Sequence, residues 1–302
     1  LHLSIRRQRQ MCIRDRPKTP KETIDLLNKV DKSDNFEVYV GCAKWNKQDL
    51  KNFYPPKTKD ELSYYSTQFN SIELNATYYR SPSKENVETW VNKTPKDFKF
   101  FPKIPQSISH YGRLQNVTDK LNQYLDAVAL FEEKLGMIFL QMHENFAPKD
   151  FEKLENFIQN FPKGYPLAVE LRHEDWFSNE ENFNRLVSLL EKHNISNIIV
   201  DTAGRRDMVH MRLTSNEAFV RFVGANIPSD YERLDEWIET IKLWKAEGLQ
   251  KLYFFIHQNL ELESPMLAKY FIKKLNNDLD LDIRGPQDEL TSVSYTHLRA
   301  HE

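Results

Sequence analysis

The chain of 302 residues has few glycines, few cysteines and almost no net charge, and each shortage argues against a class of protein. With 8 glycines it shows no G-x-G-x-x-G turn after its first candidate strand, which a dinucleotide-binding open sheet requires. The net charge of −2 gives no general reason to expect nucleic acid or an anionic membrane as a partner. No apolar run approaches the roughly 20 residues that span a bilayer, and the start lacks a signal-peptide pattern.

Both ends of the chain lack apolar periodicity, and they share a relation at the level of DNA. Met11 to Arg16 can be coded ATG TGT ATA AGA GAC AGA, and the reverse complement of that string encodes Ser292 to His297. We interpret residues 1–16 and 292–302 as adapter-derived sequence that flanks a gene fragment. Residues 17–35 are then an N-terminal extension, residues 36–280 the main domain and residues 281–291 a tail.

Cysteine use points to a reducing compartment. Cys12 belongs to the adapter-derived start, so Cys42 is left as a single cysteine that cannot form an internal disulfide. We therefore expect a cytoplasmic location. Cys42 alternates with Gly41 and Ala43 in the first candidate strand, which predicts a small core residue rather than a nucleophile.

Short β-rich runs alternate with amphipathic helical patterns about every 30 residues, the size of a strand-plus-crossover unit. The eight candidate strands cover residues 38–45, 71–79, 98–104, 137–143, 167–173, 196–201, 218–224 and 252–259. Eight such units predict a single α/β domain with a (β/α)8 TIM-type barrel, and the alternative is an open doubly wound sheet. The sixth crossover, RRDMVHMRLTSNE, predicts an irregular connection or a short helix.

Side chains alternate between two faces along a strand, and this alternation predicts which groups face the barrel axis. In the fifth strand, Val169 and Leu171 share the face toward the helices, whereas Glu170 and Arg172 share the face toward the axis. The same test on strands two, four, seven and eight predicts further polar groups at the axis: Glu73, Asn75, Gln141, His143, Arg221 and His257.

Polar groups thus stand near the carboxyl ends of seven of the eight strands, which is where barrel enzymes carry their active sites. Lys103 and Asp201, at the ends of strands three and six, complete the set. Charges near the axis must be compensated, because isolated burial costs several kcal/mol or more. We expect a neutralised pocket in which three carboxylates face three cations: Glu73, Glu170 and Asp201 against Lys103, Arg172 and Arg221.

Several motifs follow one another along the chain: GCAKWNKQDLKNFYPP, FNSIELNATYYRSPSKENVETW, TPKDFKFFPKIPQSISH, VELRHEDWF, VDTAGR and VRFVG. In these motifs, from Val38 to about Leu275, the chain resembles domain-of-unknown-function family 72, the YecE-like proteins. The resemblance implies a TIM-type barrel loosely classed with sugar isomerases, without an established activity. It marks these polar and aromatic positions: Trp45, Glu73, Asn75, Tyr78, Lys103, Glu170, Arg172, Trp176, Asp201 and Arg221.

Three kinds of function fit these residues: a metal site, binding without catalysis, and metal-free acid/base chemistry. A divalent metal, if present, has an oxygen and nitrogen ligand set in Glu73, Glu170, Asp201 and His257. Against a metal, the chain has no H-x-H, H-E-x-x-H or C-x-x-C spacing, and the nearby cations compete for the same carboxylates. Binding without catalysis is also open, because aromatic rings at the mouth stack on a sugar or base: Trp45, Tyr78 and Trp176.

Metal-free acid/base chemistry needs two carboxyl groups in different environments. We expect Glu170 to stay ionised beside Arg172, and Glu73, if it is less well paired, to have a raised pKa.

The sequence favours an enzyme of isomerase or hydrolase type that acts on a carbohydrate-like or phosphorylated small molecule. Glu73 and Glu170 are the catalytic candidates. The predicted binding residues are Trp45, Asn75, Tyr78, Lys103, Gln141, Arg172, Trp176, Asp201, Arg221 and His257. The alternative is a ligand- or nucleic-acid-binding barrel without chemistry of its own, and the oligomeric state stays open.

Overall fold

A computed structural model of the chain describes residues 16–29 and 35–287. The interpretation of both ends as adapter-derived falls on residues outside this part of the chain, except for Arg16, whose Nη2 donates to the backbone oxygen of Glu236 at 2.6 Å. Within the described residues, no helix combines the length and the apolar character needed to cross a bilayer.

Each of the eight predicted strands overlaps a strand of the structure, and the sixth overlaps two short ones. The break falls at Ile198, whose N–H donates to the carbonyl oxygen of Val169 at 2.9 Å. The prediction of a strand up to residue 79 is wrong in its second half, because Ala76–Tyr79 is helical. The strands are β1 Glu37–Cys42, β2 Ser71–Leu74, β3 Lys99–Pro102, β4 Ile138–Gln141, β5 Leu167–Glu170, β6 Ser196–Asn197, β7 Ile199–Thr202, β8 Glu217–Gly224 and β9 Lys251–Gln258.

Helices lie between most of the strands, as the apolar periodicity predicts. They are α1 Lys21–Leu27, α2 Glu61–Gln68, α3 Ala76–Tyr79, α4 Lys84–Asn92, α5 Gln106–Ser109, α6 Thr118–Val128, α7 Phe151–Asn160, α8 Asp175–Ser178, α9 Glu180–Lys192, α10 Ser229–Glu247 and α11 Ser264–Leu279. The predicted irregular crossover between β7 and β8 is confirmed, since its described helical element is the 3₁₀ turn Arg206–Met208.

The N-terminal extension contains α1, which packs against the main domain. The Thr23 hydroxyl donates to the carbonyl oxygen of Met211 at 3.2 Å and accepts from the backbone N–H of Leu213 at 3.1 Å. Leu27 is fully buried in the core. The helix therefore covers the chain just before β8.

The described strands form three parallel sheets, with the orders β1-β9-β8-β7, β2-β3 and β4-β5-β6. The prediction of one closed barrel is thus not confirmed, because the backbone ladder is interrupted between the sheets. One reason is the side chain of Asn70, which takes the hydrogen bonds of β1 on the side facing β2. Its Oδ1 accepts from Val40 N–H at 2.9 Å, and its Nδ2 donates to the carbonyl oxygen of Val38 at 2.8 Å.

Apolar side chains sort into two clusters, and the sorting follows the predicted alternation along the strands. Val169 and Leu171 belong to the large cluster between strands and helices, whereas Ala168 belongs to a smaller one. This inner cluster draws on strands of all three sheets and consists of Phe101, Met137, Phe139, Ala168, Ile198, Val200, Phe219, Tyr253 and Phe255. The three sheets therefore surround one aromatic centre, above which the polar ends of the strands meet.

Candidate active site at the carboxyl ends of the strands

Arg221 is the centre of a buried polar network at the carboxyl ends of the strands. Its Nε and Nη2 donate to Glu73 Oε2 and Oε1 at 2.9 and 2.8 Å, and its Nη1 donates to Glu170 Oε2 at 2.6 Å. Glu73 lies on β2, Glu170 on β5 and Arg221 on β8, so one guanidinium links strands of all three sheets. Although burial alone lowers it, the two carboxylates raise the pKa of Arg221 above its ordinary value.

His257 extends the network on the side of β9. Its Nε2 lies 3.0 Å from Glu73 Oε2, and its Nδ1 lies 3.6 Å from Glu261 Oε1. Burial lowers the pKa of His257, but the negative charge of Glu73, its hydrogen bond to the ring and the nearby Glu261 carboxylate outweigh burial and raise the pKa to about 9. His257 is therefore an imidazolium at neutral pH, with both N–H groups directed at carboxylates.

Glu73 is a fixed anion, which corrects the expectation of a raised pKa. Burial acts to raise its pKa, yet the charges of Arg221 and His257 hold that pKa well below the usual range. Asn75 adds a further donor, with Nδ2 2.8 Å from Glu73 Oε1. A carboxylate with so many donors accepts a proton poorly, so Glu73 positions Arg221 and His257.

Lys103 and Gln141 extend the network on the side of β3 and β4. Gln141 Nε2 donates to Glu170 Oε1 at 2.7 Å, and Lys103 Nζ donates to Gln141 Oε1 at 2.7 Å. Burial, reinforced by the positive charge of Arg221, lowers the pKa of Lys103 to about 8. Lys103 Nζ also lies 4.2 Å from the centre of the Tyr78 ring.

The mouth of the site holds an exposed guanidinium and a row of rings. The Arg172 side chain is 46 % exposed, with Nε 3.6 Å from Glu170 Oε1. Tyr78 lies 5.1 Å from His110, and His110 lies 5.3 Å from His143, both edge to face. Burial, with His143 and Lys103 acting in the same direction, lowers the pKa of His110 to about 4, so this ring is neutral at neutral pH.

Asp201 lies away from this network, which corrects its assignment to the axis. Its Oδ1 accepts from Arg233 Nη2 at 2.7 Å and from Arg206 Nε at 3.2 Å, and its Oδ2 accepts from Trp237 Nε1 at 2.9 Å. Val200 belongs to the inner cluster, so its neighbour Asp201 points outward toward α10. Asp201 therefore anchors α10 to β7.

The predicted set of metal ligands is accordingly not brought together. Asp201 is directed outward, and Arg221 occupies oxygens of both Glu73 and Glu170. Across residues 16–29 and 35–287, no group of three or more histidine, cysteine, aspartate or glutamate side chains is arranged to hold a metal ion.

The two tryptophans anchor loops beside the site. Trp176 is fully buried, its Nε1 donates to the carbonyl oxygen of Phe146 at 2.7 Å, and the two rings stack. Trp45 is half-buried, and its ring meets that of Trp90 edge to face at 5.9 Å. Their packing explains these positions without a ligand. Conversely, sequence reasoning missed Glu261, which begins a 3₁₀ turn after β9, where alternation along a strand gives no signal.

The fold and the network define a class, that of α/β proteins in which parallel strands carry a charged site at their carboxyl ends. The chain belongs to the DUF72 family, described as a protein of unknown function, whose model matches residues 39–289. The resemblance inferred from the sequence motifs is thereby confirmed.

Similar proteins come from several bacteria. The UPF0759 protein YecE of Escherichia coli (strain K12) is 25% identical over 264 residues, which cover 80% of this chain and 94% of YecE. The UPF0759 protein YunF of Bacillus subtilis (strain 168) is 27% identical over 63% of this chain and 71% of its own length. A DUF72 family protein from Thermotoga maritima MSB8, known from a crystal structure, is 28% identical in sequence. The alignment covers 80% of this chain and 99% of the Thermotoga protein, with a TM-score of 0.64.

A second solved structure agrees at the level of the fold. A DUF72 family protein from Enterococcus faecalis V583 is 21% identical, covers 83% of this chain and 98% of its own, and aligns with a TM-score of 0.65.

Proposed function

We propose that this protein is an enzyme that acts on an anionic small molecule, carbohydrate-like or phosphorylated, by acid/base chemistry at the carboxyl ends of the strands. The observation that carries the proposal is the excess of cations in the buried network. Arg172, Arg221, His257 and Lys103 outnumber the carboxylates beside them, Glu73, Glu170 and Glu261. A site with this balance of charges attracts an anion.

The side chains divide into three roles. Arg221 has each of its three nitrogens bound to Glu73 or Glu170, so it fixes the geometry of the carboxylates. Arg172 is half exposed and only loosely paired, so its planar guanidinium is free to take a carboxylate or phosphate at the mouth. Glu170, which receives one hydrogen bond on each oxygen, is the carboxyl group proposed for proton transfer.

The proposal extends to the shape of the sheet and to where the protein works. Two isolated parallel bridges, Phe100 to Leu135 and Lys103 to Phe139, connect the second and third sheets. Together with the bridging side chain of Asn70, they support a TIM-type (β/α)8 barrel with interrupted seams. A relation to sugar isomerases and a cytoplasmic location are part of the same proposal, the latter supported by Cys42, a buried free thiol in the described part of the chain.

A ligand panel tests this function. Thermal melting is measured with glucose 6-phosphate, ribose 5-phosphate, the two free sugars and a single-stranded oligonucleotide, and mixtures with the sugar phosphates are followed by NMR for product. We expect stabilisation by the sugar phosphates, with turnover that Glu170→Gln removes while binding persists. Stabilisation by the oligonucleotide alone supports the alternative of a nucleic-acid-binding protein. Equal responses to charged and neutral sugars contradict an anion site.

A further inference from the structure

Lys103 has an unusual environment for a buried lysine. It follows β3 at its carboxyl end, is 7% exposed, and packs its ammonium group over the Tyr78 ring at 4.2 Å. Its hydrogen-bond acceptor is the side-chain amide oxygen of Gln141, 2.7 Å from Nζ. The partner of this buried cation is therefore a neutral group.

Two carboxylates lie in the same network, yet neither pairs with Lys103. Gln141 stands between Lys103 and Glu170, while Arg221 holds both Glu170 and Glu73. In the described part of the chain, no carboxylate oxygen lies within 4.0 Å of Lys103 Nζ. Lys153, in contrast, forms an ion pair with Asp150 at 2.6 Å.

This arrangement makes the proton of Lys103 easier to lose than that of an exposed lysine, while the ammonium form still dominates at pH 7. A buried ammonium without an ion pair is costly, and the neighbouring Arg221 adds repulsion. Both effects lower the pKa of Lys103 to about 8, with burial as the larger cause. A lysine that serves only to bind an anion gains from keeping its charge, whereas a lysine that attacks an electrophile must lose it.

We infer that Lys103 is a nucleophile that forms an imine with the aldehyde or ketone group of an anionic substrate. The inference rests on the proposed function of the site and names its substrate class, a carbonyl compound that carries a phosphate or carboxylate. The Lys103 nitrogen lone pair forms a bond to the carbonyl carbon, and the oxygen takes a proton as the nitrogen loses one. The C–O bond of the carbinolamine then breaks: the hydroxyl group takes up a second proton and leaves as water, while the nitrogen gives up its remaining proton and forms the carbon–nitrogen double bond.

The surroundings of Lys103 suit this step. The ring of Tyr78 covers Nζ on one side and Phe139 lies 5.9 Å away, so the amine is partly shielded from water. The positive charge of the half-exposed Arg172 also acts on Lys103, and Arg172 is the cation proposed to hold the anionic end of the same molecule. Gln141 fixes the direction of Nζ through its amide oxygen, so it acts as a positioning residue.

Trapping with borohydride tests the inference. The folded full chain is incubated with pyridoxal 5′-phosphate, an anionic aldehyde, then reduced and mapped by peptide mass spectrometry. We expect one reduced adduct, on Lys103, with a labelling rate that rises as the pH passes about 8. Lys103→Met and Lys103→Arg should both lose this adduct, and Lys153→Met should keep it. Labelling spread over surface lysines without preference for Lys103 overturns the inference.

Two further arms separate this inference from the proposed function. Glyceraldehyde replaces the anionic aldehyde, and inorganic phosphate is added as a competitor. If the anionic aldehyde labels Lys103 in preference to glyceraldehyde and phosphate protects Lys103, the result supports both the nucleophile and the anion site. If both aldehydes label Lys103 selectively and phosphate does not protect it, Lys103 is still supported as the nucleophile, but the anion site is contradicted. If calorimetry shows that phosphate binds but no adduct forms on Lys103, the anion site is supported and the role of Lys103 as a nucleophile is overturned.

Discussion

Arg221 holds Glu73 through two parallel contacts of 2.9 and 2.8 Å, although 148 residues separate them along the chain. The pair connects β8 to β2, two strands of different sheets, and the third nitrogen of Arg221 reaches Glu170 on β5 of the third sheet. Planar pairing of this kind fixes both direction and distance. The site is therefore held together by side chains where the backbone ladders are interrupted.

Arg221→Met should destabilise the fold strongly. The change leaves Glu73 and Glu170 buried without their shared cation, and breaking a buried pair in this way costs about 3–5 kcal/mol. Urea denaturation measures the loss, and Arg221→Met combined with Glu73→Gln should recover part of it. A loss below about 1 kcal/mol for the single variant would show that the pair contributes little.

Stability should fall as pH rises from 6.5 to 8, because of His257. Its pKa is about 9 in the folded protein and 6.5 as the ordinary value, so the folded state binds the extra proton across this interval. The slope is at most about 1.4 kcal/mol per pH unit. Above pH 8, Lys103 acts in the opposite direction, since its pKa is lowered from 10.5 to about 8.

The free energy of unfolding, measured by urea at several pH values between 6.5 and 8, checks this behaviour. His257→Gln removes the titrating group, and Glu73→Gln removes its anionic partner. Both variants should flatten the slope, and an unchanged slope in His257→Gln would rule out this assignment.

Lys103→Met should leave stability unchanged at pH 7 or raise it by on the order of 1 kcal/mol. The substitution removes a buried charge that lacks an ion pair, and such replacements are often neutral or stabilising. Because the penalty disappears as the folded lysine loses its proton, the difference should shrink between pH 8 and 10.5. Denaturant titrations at pH 7 and pH 10 check this, and a loss above about 2 kcal/mol at pH 7 would assign Lys103 a structural role.

Asn70→Ala should cost about 2–6 kcal/mol, since it leaves two backbone groups of β1 without partners, at about 1–3 kcal/mol each. Asn160→Ala is the matched control, because Asn160 is exposed at the end of α7 and should change stability by less than about 0.5 kcal/mol. Thermal melting of both variants makes the comparison. Equal effects would mean that the seam between β1 and β2 does not depend on Asn70.

Alternation along a strand predicts much of the site, and its failures have physical reasons. In β5, Val169 and Glu170 differ so clearly in polarity that the face of each is evident from the sequence. Before Asp201 the residues are all aliphatic, Ile198, Ile199 and Val200, so they give no indication of which face Asp201 takes.

The choice of partners within the site depends on distances between strands. The sequence suggests that carboxylates and cations meet, but not that one guanidinium binds both Glu73 and Glu170 and leaves Lys103 with an amide. The interrupted ladders could not be predicted from the sequence either. The side-chain amide of Asn70 replaces backbone hydrogen bonds of β1 that an alternating pattern leads one to expect with a neighbouring strand.

Isothermal titration calorimetry with glucose 6-phosphate and with glucose tests the central claim, an anion site at the carboxyl ends of the strands, most directly. Wild type is compared with Arg172→Gln and with Lys242→Gln, a charge change on the exposed surface of α10. The account predicts that the wild type binds the sugar phosphate and does not bind the free sugar. Arg172→Gln should bind the sugar phosphate at least tenfold more weakly, equivalent to about 1.4 kcal/mol. Lys242→Gln should keep the wild-type affinity. Equal affinity for both sugars, or no effect of Arg172→Gln, would contradict it.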